Sequence, residues 1–394
     1  MSLTPATPDE ARAAGLTEAG AARISRVIAR EIANKRVPGA VAMVGRGGRV
    51  CYFEAHGRLT PDGDAPMALD SLFRIYSMTK PIVSLAVMML VEEGRILISD
   101  PIAKYLPELG NLKVGVEQDG KPLRLEPLVR PISIQDLLRH TSGLTYGFVS
   151  TGEVAKLYQE AKLGHPKKDT AEIVRQLGEL PLLHQPGTRW AYSQATDVLG
   201  RLLEVVHGKS LAAVLDEAIL GPLGMTETSF VVPEAKLARL ARPLPNDPDT
   251  GAPVVMTATQ KESGGGGLYG TVGDYGRFCQ MLANGGSLGA TRILGRKTLE
   301  FAASDHLTDE MGIDSNLGLL PPGHGFGLGF AVRRATGIAS FPGSAGTYHW
   351  SGIAGTTFWI DPKEDLWAVL MLQAPAQREY YRLLFRNIVY SALA

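Results

Sequence analysis

The chain has 394 residues, 45% hydrophobic and 20% charged, which is enough to bury a large core and to build two closely joined lobes. Lys plus Arg and Asp plus Glu each number 40, so the formal charge is zero and nothing suggests the one-sided basic face of a nucleic-acid binder. The two cysteines, Cys51 and Cys279, lie far apart with no Cys-x-x-Cys spacing, which predicts free core thiols in a reducing compartment and gives no recognisable metal site.

Taken in chain order, the opening stretch 1–20 has no basic segment followed by an apolar one, so the expectation is a cytoplasmic chain. Residues 16–34 space their apolar side chains as a helix does, and 39–57 read as two strands joined at Gly47-Gly48. From about 75 to 245 the periodicity is mostly helical, through 81–93, SIQDLLRH (133–140), TAEIVRQLGEL (170–180), ATDVLGRLLEVVHG (195–208) and SLAAVLDEAIL (210–220). The apolar run 81–91 falls well short of the roughly 20 residues that span a bilayer, so no membrane partner is expected. Loops rich in Pro and Gly follow at 242–253 and 261–267, and the second reads as a flexible cleft edge. The stretches 325–334, 346–361 and 366–375 return to strand patterns, and 378–394 closes as a helix. The expected fold class is therefore α/β plus all-α. Residues 1–74 and 246–394 form an antiparallel sheet flanked by helices, and 75–245 form a second, mainly helical lobe.

Ser77 and Lys80 stand three apart at the head of the apolar run 82–90, whose side chains are apolar on nearly every side, as in a helix buried all round. Pro81 is tolerated in a first helical turn, so Ser77 belongs at a helix N-terminus, where unpaired N–H groups favour developing negative charge. Residues i and i+3 share a helix face with Cβ atoms roughly 5–6 Å apart, so the Lys80 amine can reach the Ser77 hydroxyl. Apolar surroundings disfavour a charged lysine, and a neutral amine can take the serine proton. The same spacing also suits a Ser N-cap followed by a surface lysine. Downstream, Tyr192 follows a Pro-Gly turn and precedes an amphipathic helix, as either a packed core tyrosine or a proton relay. Farther on, Trp350, Ser351 and Gly352 lie near the start of a strand, where an edge amide could be a second oxyanion donor.

These elements resemble, in order, the serine β-lactamase and penicillin-binding-protein group, and more closely its esterase branch, the family VIII carboxylesterases with their class C β-lactamase fold. The likeness runs through DSLFRIYSMTKPI (70–82), ISIQDLLRHTSGLTYG (132–147), PGTRWAYSQATDVLGRLLE (186–204), ILGPLGMTETSF (219–230) and GGGGLYGTVGDYGRFCQML (264–282). It implies a β-lactamase-like fold with the site in the cleft between the lobes. It also implies Ser77 as acylated nucleophile, Lys80 and Tyr192 as base and proton relay, and the Ser77 and Ile353 amides as oxyanion hole. Two departures matter. Gln194 replaces the Asn of Tyr-x-Asn, and Trp350-Ser351-Gly352 replaces Lys-Thr-Gly, removing a cation that holds a substrate carboxylate and leaving an apolar wall. Neutral esters become the expected substrates, with Tyr146, Gln194, Trp350, Ser351 and Gly352 as substrate-binding candidates and some β-lactam turnover left open.

Competing signals are weaker. GGSLG (285–289) has the Gly-x-Ser-x-Gly form of a nucleophile elbow, but a helical pattern precedes it where the elbow needs a strand, so Ser287 is not favoured. The eight histidines include no His-x-x-x-His pair, so neither metal nor cofactor is expected. His349 and Trp350 are neighbours on a strand and should face opposite sides, and His140 reads as a helix-end residue capping carbonyls. The sequence thus predicts a serine hydrolase acting on small, short-chain acyl esters. An acyltransferase to an alcohol or amine, a β-lactamase or D-amino peptidase, and a silent binding protein are the alternatives. The number of subunits is not set by anything in the sequence. The loops 145–168 and 242–267 are expected to tune specificity.

Overall fold

The computed structural model describes residues 7–165, 168–244, 262–314 and 319–394. Gly39–Arg46 (β1) and Arg49–Gly57 (β2) form the expected hairpin, with Gly47 and Gly48 at φ 58° and 72° in its turn. Two successive positive φ values match the right-handed twist of the flanking strands, and glycine adopts them without a Cβ clash. His324–Phe326 (β3), Ala331–Arg333 (β4), Tyr348–Ser351 (β5), Thr357–Asp361 (β6) and Leu366–Leu372 (β7) supply the other strands. The seven form one antiparallel sheet in the order β3-β4-β5-β6-β7-β1-β2. The earliest strand, β1, is therefore interior, pairing Ala40 with Leu372 and Arg46 with Leu366 of the last.

The longer helices are Glu18–Ala33 (α1), Thr79–Glu92 (α2), Ala195–His207 (α3), Val272–Ala283 (α4) and Arg378–Tyr390 (α5). Both faces of the sheet are covered. Ala40, Ala42 and Val44 of β1, with Leu366, Ala368 and Leu370 of β7, pack with Ile24 and Ile28 of α1 and Phe385 and Val389 of α5. Val41, Met43, Trp367, Val369 and Met371 point the other way, into the core that holds Phe278 and Met281 of α4. Strands buried on both sides lose polar alternation, which is why β1 and β7 read as unbroken apolar runs. Each Val, Leu or Met among them contributes about 1.5–3 kcal/mol on burial. In α2, every residue from Thr79 to Met88 is buried, as its all-round apolar character implies.

Three segments differ from expectation or lie out of view. The stretch 145–168, expected as loop, contains the helix Glu153–Glu160, whose inward face is Val154, Ala155 and Tyr158. Two turns bounded by Gly152 and Gly164 leave too short a periodic run to stand out. The helix at 210–220 begins as α over Leu211–Leu215 and widens to a π turn over Asp216–Leu220. The lobe boundary expected at 245–246 and most of the loop 242–253 lie outside the described residues. Both thiols are buried and free, and among the described residues no helix is long and apolar enough to cross a membrane.

The short helix Ile134–Leu138 anchors the segment that runs on to the cleft. Its Asp136 is fully buried and accepts from both arms of Arg130 (2.5 and 3.0 Å), from Arg139 (3.2 Å), from the Ser133 amide and hydroxyl (3.0 and 2.8 Å) and from Thr141 (2.9 Å). Burial by itself raises the carboxyl, but the Arg130 fork and the Ser133 donors outweigh it and hold the group down to about 2 from an ordinary 3.8. The folded value lies below the unfolded one, so the stabilisation is complete above about pH 4 and is lost as pH falls towards about 2. Asp136→Asn should therefore cost about 2 kcal/mol at neutral pH. In urea melts the gap to wild type should narrow across that acid window, and a gap that does not change with pH would contradict this account.

Candidate active site

Ser77 sits in a single 3₁₀ turn, Tyr76–Met78, that runs directly into α2. Tyr76 has φ +45°, a left-handed backbone that costs a non-glycine residue roughly 1–3 kcal/mol and persists only where neighbours impose it. Those neighbours are visible. Ile75 N–H donates to Leu268 O (3.2 Å), Thr356 Oγ1 donates to Ile75 O (3.2 Å), and Tyr275 of α4 donates to Met78 O (3.0 Å). The sheet, α4 and the 268–270 segment thus hold the serine turn from three sides.

Lys80, one turn along, is 2% exposed. Its Nζ lies 3.3 Å from Ser77 Oγ, 3.1 Å from Tyr146 Oη and 2.6 Å from Gly265 O. The Tyr192 phenol donates to Ser77 Oγ at 2.7 Å, and its ring lies 4.6 Å from the Lys80 amine. Ser77, Lys80 and Tyr192 therefore converge, and Tyr146, expected only to line the cleft, joins them. Burial, with the charge of Asp197 and the neighbouring Tyr192, holds the Tyr146 phenol well above its ordinary value, so it stays protonated.

The tetraglycine 264–267 is not a loose edge. Gly265 N–H and Ser263 Oγ both donate to Asp197 Oδ1 (3.1 and 2.5 Å), and the Gly266 and Gly267 amides turn back on Ser263 O. Asp197, in the first turn of α3, thereby fixes the carbonyl that receives Lys80. Neither Asp197 nor Gly265 was singled out in the sequence. The only signal for the pair is an acidic residue five positions after Tyr192 and a glycine run far downstream.

The strand side of the cleft comes from β5. The Trp350 ring packs 5.3 Å from Tyr192 and 5.3 Å, edge to face, from Phe326. Ser351 Oγ is paired with Thr357 Oγ1 at 2.8 Å. Gly352 does not line the cleft: its amide donates to Thr356 O (2.8 Å) and its carbonyl accepts from Arg382 (2.6 Å). A Cβ there would come within 2.5 Å of Ile75 O, so the glycine is a matter of space beside the serine turn. Ile353 follows on the cleft wall, and neither its amide nor that of Ser77 donates to a protein acceptor among the described residues. Gln194 lines the same wall, and the cleft encloses about 890 Å³.

His349 and Trp350 point to opposite faces, as the pleat requires. His349 packs edge to face with His324 at 5.3 Å, yet both it and Trp350 border the cleft. Strand β4 stops opposite His349, so the cavity passes its end and reaches both sides of the sheet. His140, expected to cap carbonyls, is instead buried against the Tyr192 ring (5.0 Å) with its Nδ1 3.1 Å from Ser193 Oγ. Its backbone φ of +57° swings it inward off the helix end. Burial and then the Lys80 charge keep its imidazole well below the ordinary range and hence neutral. Ser287 lies in a small hairpin, Ser287–Leu288 with Thr291–Arg292, outside the cleft. Among the described residues no three His, Cys, Asp or Glu side chains converge to hold a metal ion.

The chain is similar to known proteins along most of its length. The sequence profile described as Beta-lactamase matches residues 24–392. Protein Rv1367c of Mycobacterium tuberculosis is 38% identical over 345 residues, 85% of either chain. Esterase EstB of Burkholderia gladioli is 34% identical over 375 residues, 89% of this chain and 90% of its own. The solved structure of EstCE1, a hydrolase with promiscuous acyltransferase activity, superposes with a TM-score of 0.79 at 26% identity, covering 94% of this chain and 99% of its own. With a match running nearly from end to end, the chain belongs to the β-lactamase family and is a serine hydrolase with esterase relatives.

Proposed function

We propose that this hydrolase cleaves small carboxylic esters, with short acyl chains among its substrates, through an acyl-enzyme on Ser77. The observation that carries the reading is the placement of Ser77 Oγ within reach of two proton-transfer groups, Tyr192 at 2.7 Å and Lys80 at 3.3 Å, at the floor of the cleft. Ser77 gives its proton to the Lys80 amine as Oγ bonds to the ester carbonyl carbon. The oxyanion is held by the unengaged amides of Ser77 and Ile353. Its collapse expels the alcohol, protonated through Tyr192, which Lys80 resupplies. Water then attacks the acyl carbon by the same relay, freeing the acid and restoring Ser77.

Tyr146, Gln194, Trp350 and Ser351 border the substrate in this reading, and Gly352 acts by leaving room for Ile75. The likeness to EstB supports the ester, and Trp350 in place of a lysine supports a neutral group beside the scissile bond. A second reading, acyl transfer to an alcohol or amine, is favoured by the likeness to EstCE1 and needs only an acceptor that outcompetes water. The two-lobe division at 75–245, with the cleft between lobes, and a cytoplasmic setting belong to the same proposal. The two buried, unpaired thiols support that setting.

A small fluorophosphonate should label Ser77, located by peptide mass, and Ser77→Ala should fold normally while losing label and ester turnover. Labelling at Ser287, or substantial turnover by the purified variant, would sink the scheme. Tyr192→Phe should lower kcat by about 10²–10⁴-fold with a much smaller change in KM. Gly352→Ala tests the support of the serine turn. With a Cβ forced against Ile75 O, kcat and the labelling rate should both fall at least about tenfold, and unchanged labelling kinetics would show that the contact does not position Ser77.

A further inference from the structure

Past the Ala331 end of β4 the cleft reaches Arg386 and His349, part of a group of buried basic side chains that nothing in the hydrolytic scheme uses. Arg386 of α5 and Arg333 of β4 are each 3% exposed, and His349 and His324 are buried beside them. The Arg386 guanidinium is held by rings rather than acceptors, 4.6 Å from the Phe341 centroid and 4.9 Å from that of Trp359. Nη1 of Arg386, Nη1 of Arg333 and Nε2 of both histidines are buried without a hydrogen-bond partner. The nearby carboxylates are engaged elsewhere. Asp361 receives Ser344 N–H (3.1 Å), Tyr390 Oη (2.7 Å) and the Lys363 and Glu364 amides, while Glu379 receives Arg382.

A buried polar atom left unpaired costs about 1–3 kcal/mol, and more when charged. Of these residues Arg386 and His349 border the cavity, and a guanidinium left short of acceptors there marks a place for a ligand that supplies them. Burial, aided by Arg333 and Arg382, outweighs the opposing pull of Tyr390 and Asp361 and brings Arg386 down to about 10.

Resting on the ester-hydrolase reading, we propose that this end of the cleft seats a carboxylate carried by the substrate, remote from the ester that Ser77 attacks. Arg386 carries the planar fork that matches a carboxylate, and His349 borders the same cavity beside it. The path is continuous, since Ser77, Ile353, Ser351, Arg382 and Arg386 border one cavity. His349 lies two residues, roughly 7 Å, along the strand from Ser351. The substrates are thus half-esters of dicarboxylic acids or esters of comparable reach. The neutral wall at Trp350 faces the reacting end and the cations face the distal end.

The test compares 4-nitrophenyl half-esters of glutaric, adipic and suberic acids with neutral 4-nitrophenyl esters of equal chain length. At the chain length that spans the cleft, kcat/KM should favour the half-ester by at least about tenfold. In Arg386→Met that ratio should collapse through KM, and in Arg386→Lys, which keeps charge but not the fork, it should fall part of the way. Free adipate should inhibit neutral-ester hydrolysis competitively and raise Tm in wild type, while adipamide should do neither. Neutral esters preferred at every length, or adipate without effect, would overturn the carboxylate seat and leave the esterase reading standing. Non-competitive inhibition would also overturn it, by assigning the cations to a free effector. Failure to hydrolyse any ester would refute the esterase reading, and the adipate shift would then decide the anion seat alone. If Arg386→Met fails to fold, the wild-type comparison of adipate with adipamide still decides.

Discussion

The buried amine of Lys80 is the point on which the site's geometry turns. A lysine enclosed in apolar core is tolerated only if its hydrogen-bonding capacity is met, and here three partners meet it: Ser77 beside it on the chain, Tyr146 from the segment after helix Ile134–Leu138, and the carbonyl of Gly265. Two of the three are themselves held. The serine turn is fixed by Thr356 and Tyr275, and Gly265 is fixed by Asp197 of α3. Separate pieces of chain are thereby brought to one atom.

Much of this was legible in the sequence. Both terminal helices, the glycine hairpin and the strands of the far end announce themselves because long periodic or apolar runs bounded by turns have few other structures open to them. Ser77 and Lys80 were readable because their spacing is local to one helix, and Tyr192 because it stands between a turn and a helix. What escaped is non-local or short. Asp197 matters through a backbone amide 68 residues away, and no periodicity encodes that. Helix Glu153–Glu160 is too brief to show a pattern, and the inward turn of His140 depends on a single left-handed dihedral.

The replacement of a lysine by Trp350 read as the loss of positive charge from the cleft, and at that position it is. The fold supplies positive charge from another source. Helix α5 presents Arg378, Arg382 and Arg386, spaced four apart so that they share one face, along the far wall. Sequence comparison at one motif follows a single strand, whereas charge in a cavity is summed over every element around it. The cleft is therefore polarised, aromatic next to Ser77 and cationic beyond β5.

The pairing of β1 with β7 ties the centre of the sheet to two segments that are far apart along the chain. Ala40 finds its neighbour at Leu372, more than three hundred residues later, so the centre of the sheet cannot close until the chain through Leu372 exists. Contacts of such sequence separation are slow to form, because a large loop entropy is spent before any burial repays it. During that interval β1 and β2 present an apolar hairpin face with an open edge, the kind of surface that chaperones shield and that aggregates when they do not. Loss of even the last strand would leave β1 unpaired on one side and the Ile353 segment without the β6–β7 support behind it, so catalysis arrives late and all at once.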